Sequence, residues 1–127
     1  MGLKLLHLNL HGLIRGHELE LGRDADTGGQ TLYVLELVKG LGVRPEVDHV
    51  DLVTRLIQDR RVSSDYSQKE ELIAPGVRIL RFPFGPKRYL RKELLWPYLD
   101  DLADQLVTNL QEQDRLPDWI HAHYADA

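Results

Sequence analysis

Four short apolar runs, with two stretches of helical periodicity between them, leave few folds open to this chain. The runs are Leu3–Leu10 (LKLLHLNL), Val50–Arg55 (VDLVTR), Val77–Phe82 (VRILRF) and Trp119–Ala122 (WIHA), each of strand length. After the first run, Gly28-Gly29-Gln30 opens TLYVLELVKGL, whose only charges are Glu36 and Lys39. That stretch reads as a largely buried helix with Thr27 near its N-cap and Gly40 or Gly42 near its end. Leu95, Leu99, Leu102, Leu106 and Leu110 recur at helical spacing, opposite Asp100, Asp101, Asp104, Gln111 and Glu112. This predicts an amphipathic helix that starts at Trp96-Pro97, with Trp96 packed on the sheet, and is stopped by Pro117. The order β-α-β-β-α-β predicts an α/β fold: an open, mostly parallel sheet with flanking helices. A parallel sheet needs cover on both faces, and no helix follows the last run. The expectation is therefore that residues 1–127 begin a longer unit.

Composition narrows the classes further. The chain has 127 residues, 43% hydrophobic and 28% charged, with 16 Lys+Arg against 20 Asp+Glu and a net charge of −4. This supports one domain with a real core. The mild acidity argues against general nucleic-acid binding. There is no cysteine, hence no disulfide framework, thiolate site or thiol nucleophile. No run approaches the ~20 apolar residues of a membrane span, and the N-terminus lacks the pattern of a secretory signal. A cytoplasmic location is the default expectation.

Three segments carry site chemistry. The loop after the first run, HGLIRG at 11–16, leads to GRDADTGGQ at 22–30. A Gly-Gly pair at a helix start lets a ligand approach the backbone, and the N–H groups and helix dipole favour an anion there. An isolated Gly-Gly is more often a plain tight turn, and no dinucleotide fingerprint is present. Asp24 and Asp26 in that loop suit hydroxyl binding, base chemistry or capping. The second segment, GPKRYLRKE at 85–93, places four cations within six residues. It reads as a phosphate clamp or as a solvated basic turn. The third is His121-Ala122-His123-Tyr124-Ala125-Asp126. Strand alternation puts the two histidines on one face with Asp126 nearby. A zinc site lacks an evident third ligand, so a sugar-hydroxyl contact or a polar strand end is favoured. His7 and His49 read as structural strand histidines.

HGLIRG followed by ELGRDADTGGQ and a Tyr-Val-x-Glu-Leu helix closely resembles the opening of the sucrose-phosphate synthases, retaining glycosyltransferases of the two-domain GT-B type. VDLVTRLI, RFPFGPKRYLRKELLWPYL and PDWIHAHYADA are similar to later segments of that family, in the expected order. The resemblance implies a partial Rossmann-like N-terminal domain on the acceptor side, with the C-terminal nucleotide-sugar domain absent. It implies transfer of glucose from UDP-glucose to fructose 6-phosphate, giving sucrose 6-phosphate and UDP with retention. Gly28 and Gly29 then match the turn against the donor diphosphate and acceptor, and Gln30 an acceptor contact. Lys92 matches a basic residue at the acceptor phosphate, with Arg88 a second cation there. His123 matches a catalytic-site histidine near the transferred glucose. His11 and Arg15 are weaker candidates in the acceptor-side loop.

The resemblance implies no metal and no cofactor, and small-molecule partners only: the two sugar substrates, no nucleic acid and no membrane. The missing C-terminal domain would be the partner within the same chain, and this chain alone is expected to be inactive. Two alternatives remain at this point. One is a sucrose synthase or other GT-B transferase, and the other is a non-catalytic sugar-phosphate-binding module.

Overall fold

The computed structural model describes residues 2–24, 26–114 and 116–123. Five strands form one sheet: β1 (Leu3–Leu8), β2 (Val47–Arg55), β3 (Glu70–Ala74), β4 (Val77–Phe82) and β5 (Trp119–Ala122), in the order β3-β4-β2-β1-β5. β1, β2, β4 and β5 are mutually parallel, and β3 returns antiparallel to β4 through the Pro75-Gly76 turn. The expected α/β fold with a mostly parallel sheet is the one observed.

The alternation of side chains along the central strands builds both layers. Val50 and Leu52 of β2 and Val77 and Ile79 of β4 pack with Val34, Leu35 and Val38 of α1 (Gly29–Gly42). On the opposite face, Leu6, Leu10, Val53, Leu80 and Phe82 pack with Leu95, Leu102 and Leu110. The last two belong to α2 (Leu99–Glu112). The predicted leucine stripe is thus the buried one, with Leu99 and Leu106 packed at its border.

Thr27 lies next to the N-cap of α1, as expected; Gly28 holds the cap position, with no side-chain cap. The Thr27 hydroxyl accepts from the Leu13 N–H at 3.0 Å and donates to Asp24 at 3.0 Å. Three expectations are corrected. α1 is less buried than its apolar character suggests, because Leu32 and Tyr33 face outward. The segment Trp96–Tyr98 forms a 3₁₀ turn before α2, and Trp96 is 63% exposed; Leu95 makes the core contact instead. The last strand forms in register but is exposed along its length, because β5 is the sheet edge and pairs only with β1 among the described residues. β3, which the sequence did not reveal, has the short, part-buried sequence EELIA.

Candidate functional site at the β1–β5 switch point

The chain builds outward from β1 through α1 to β2 and β4, then crosses back through α2 to place β5 on the other side of β1. The two helices lie on opposite faces. β1 and β5 are thus the neighbouring strands at which the strand order reverses, a switch point whose crevice lies beyond their carboxyl ends. In open α/β sheets that crevice is where ligands bind.

A cleft of about 430 Å³ occupies this position, lined by Gly29, Gln30, Tyr33, His121, Ala122 and His123. A Cβ built on Gly28 or Gly29 meets nothing within 4 Å, so neither glycine is required by packing within the described chain. What they provide is open backbone at the start of α1, where no side-chain cap closes the helix. An uncapped helix N-terminus carries partial positive charge and suits an anion. The Gln30 amide donates to Asn9 Oδ1 at 3.2 Å, which ties the helix start to the end of β1. Gly12 is required for another reason: its φ is +81°, and a Cβ would come within 2.4 Å of the Asp26 carbonyl oxygen. The two halves of the loop touch there.

The histidines form a cluster of three. His7 pairs in register with His121 across the β1–β5 ladder, and the His123 N–H extends the ladder to the Leu8 carbonyl at 2.9 Å. His7 Nδ1 and His123 Nε2 are 2.8 Å apart, a hydrogen bond that shares one proton between two buried rings. The His121 ring stacks on His123 at 4.1 Å between centroids. Burial, then the neighbouring His123 and His121, push the His7 imidazole down to about 4. Burial, then His121, also lower His123. From sequence His7 reads only as a structural strand histidine, and Tyr33 is not among the expected site residues. Alternation reveals partners along one strand, whereas His7 joins through the pairing of two distant ones. Tyr124 and Asp126, named with this segment, lie outside the described residues.

The basic loop is held from below by buried charge. Arg55, 3% exposed, donates to the Pro86 and Arg88 carbonyls at 2.6 and 2.7 Å; burial pushes its guanidinium down to about 10. Asp59 accepts from the Tyr89 N–H at 3.0 Å, and Asp24 from the Tyr89 hydroxyl at 2.8 Å. Asp24 also accepts from the N–H groups of Asp26 and Thr27. Asp24 is thus an organiser of the loop.

Lys92 is brought to the same loop. Its N–H donates to Asp26 Oδ2 at 2.7 Å, and its Nζ lies 3.7 Å from Asp26 Oδ1. Arg88 lines a second cleft, of about 520 Å³, with Arg23, Arg61, Arg91, Asp24 and Asp59. The structure therefore brings Gly29, Gln30 and His123 together and sets Lys92 beside the segment leading to Gly28. Arg88 faces the other cleft, which shares no lining residue with the first.

His11 is buried, and its carbonyl accepts from the Asn9 amide at 3.3 Å. Arg15 donates to the His17 and Glu18 carbonyls and pairs with Asp65 at 3.3 Å. It also lies over the Tyr66 ring. These contacts give Arg15 the role of folding its own loop.

No family model matches the chain. Among curated proteins, it is 40% identical to a probable sucrose-phosphate synthase 2 of Arabidopsis thaliana, over 98% of this chain and 14% of that protein. Identity to the sucrose-phosphate synthase of Spinacia oleracea is also 40%, over 94% of this chain and 14% of the relative. The chain thus spans about one seventh of the length of these relatives. Among solved structures, a sucrose-phosphate synthase from Thermosynechococcus elongatus superposes with a TM-score of 0.76 at 23% identity, over 96% of this chain and 27% of that one. That likeness concerns the fold.

Proposed function

Because the chain is a homologue of one segment of the sucrose-phosphate synthases, we propose that it forms the acceptor side of a GT-B glycosyltransferase of sucrose synthesis. In this reading, residues 1–127 make up part of the N-terminal domain. A second, nucleotide-sugar domain completes the enzyme, which works in the cytoplasm on small molecules. Glucose passes from UDP-glucose to fructose 6-phosphate with retention, giving sucrose 6-phosphate and UDP. The observation that carries the reading is the cleft at the switch point, where Gly29, Gln30 and His123 converge.

The geometry suits this chemistry in three ways. The open backbone at Gly28 and Gly29 accepts the diphosphate edge and stabilises charge as UDP leaves. Gln30 and His123 offer hydrogen-bonding groups to sugar hydroxyls, with His123 beside the transferred glucose. Lys92, with Arg88 as a second cation of the same basic loop, supplies positive charge for the acceptor phosphate. His11 and Arg15 shape the loop between them. Holding both sugars with the acceptor hydroxyl on the face from which UDP departs supplies orientation, and the departing phosphate takes the hydroxyl proton.

The test is titration of the isotopically labelled chain with fructose 6-phosphate, followed by amide NMR. Shifts concentrated at Gly28, Gly29, Gln30 and Lys92 are expected, with smaller ones from fructose. Shifts confined to other parts of the sheet would overturn the assignment. A UDP-release assay on the same chain with UDP-glucose and fructose 6-phosphate should give no turnover, and UDP release would refute the two-domain requirement.

A further inference from the structure

The three imidazoles at the end of β1 and β5 exceed what sugar recognition asks of one histidine. We infer that His7, His121 and His123 form a transition-metal site, suited to Zn²⁺, at the rim of the switch-point cleft. One nitrogen of each ring lies within 4.8 Å of the others. Three imidazoles with one open position are an established donor set for four-coordinate Zn²⁺, with Zn–N bonds near 2.0–2.1 Å. Tetrahedral bonds of that length set ligand nitrogens about 3.3 Å apart. The His7–His123 pair, at 2.8 Å, must open by about half an ångström, and the His121 ring, stacked on His123, must turn so that its nitrogen points to the same ion. The proton now shared between those two nitrogens is the one a metal would replace.

The backbone fixes the donors. His7 and His121 sit opposite each other in the β1–β5 ladder, and His123 follows on the same face as His121. His7 and His123 are buried, while His121 is exposed, which gives an ion a route in. The remaining position faces the cleft beside Gly29, Gln30 and Tyr33, where water or an anionic ligand completes the coordination. Imidazole nitrogens without a thiolate or carboxylate also suit Co²⁺, Ni²⁺ and Cu²⁺. His123 serves both this site and the proposed sugar site, so metal and sugar compete.

The site is tested without any sugar, so its failure leaves the acceptor reading standing. The chelator-stripped chain is titrated with Co²⁺, whose visible absorption reports four-coordinate nitrogen ligation, and then with Zn²⁺ by calorimetry. One equivalent of saturable binding is expected, and H121Q should weaken it by at least about tenfold. H7Q should do the same. His121 is exposed on the edge strand, so H121Q decides the matter if H7Q fails to fold. H17Q, which alters an exposed histidine elsewhere, should leave binding unchanged. Absence of saturable binding, or equal affinity in H121Q and the unaltered chain, would overturn the site.

Discussion

Tyr66 and Tyr89 donate their phenolic protons to Glu20 and Asp24, at 2.7 and 2.8 Å. Burial first, and then these bonds, hold both groups above the ordinary phenol range. Their stabilisation is complete below the unfolded value of about 10 and is lost as pH rises through the higher folded value. Denaturant midpoints should therefore fall as pH rises above about 10, and the double variant Y66F/Y89F should show a shallower fall. An unchanged slope in the double variant would contradict the assignment. Gly29 gives a second test. Its added Cβ meets open space, so Gly29→Ala should fold with equal or up to about 1 kcal/mol greater stability while weakening fructose 6-phosphate binding. Loss of stability without loss of binding would make the glycine structural. The wording of the loop pointed to Gly28, Gly29, Gln30 and Lys92. It did not point to His7, whose neighbours come from 114 and 116 positions further along the chain.

Both helices and the four parallel strands follow from apolar spacing, and all of them except β5 bury one periodic face or run. The misjudged elements share a cause: burial depends on what lies next to an element as well as on its own residues. WIHA is apolar enough for a core strand yet forms an exposed edge. EELIA is too polar and short to stand out, yet it pairs with β4. Arg55 was read as no more than the end of a strand, but its two bonds hold the basic loop at Pro86 and Arg88. Arg55→Met leaves two carbonyls without that donor and should destabilise the fold by about 2–4 kcal/mol. It should also reduce phosphate-ligand affinity, with both read from denaturant melts and calorimetry. Unaltered affinity would detach the loop from the site. Leu102→Ala, in the α2 core, should cost about 2–5 kcal/mol with ligand contacts intact.

The whole molecule is one sheet between two helices, whose strand order reverses at β1 and β5, and Gly29, Gln30 and His123 line the cleft at that switch point. Architecture alone supports a ligand site there, and its substrate class is the one proposed above from the similarity to sucrose-phosphate synthases. The choice of a phosphorylated acceptor rests on Lys92 and the basic loop around it. The decisive quantity is the ratio of dissociation constants for fructose and fructose 6-phosphate, in the unaltered chain and in Lys92→Ala. A charge-assisted phosphate contact is worth about 1.5–3 kcal/mol, so the unaltered chain should prefer the phosphorylated sugar by about tenfold or more. Lys92→Ala should bring that preference close to parity. Equal affinity for the two sugars, or a preference that survives the substitution, would contradict the acceptor-side assignment.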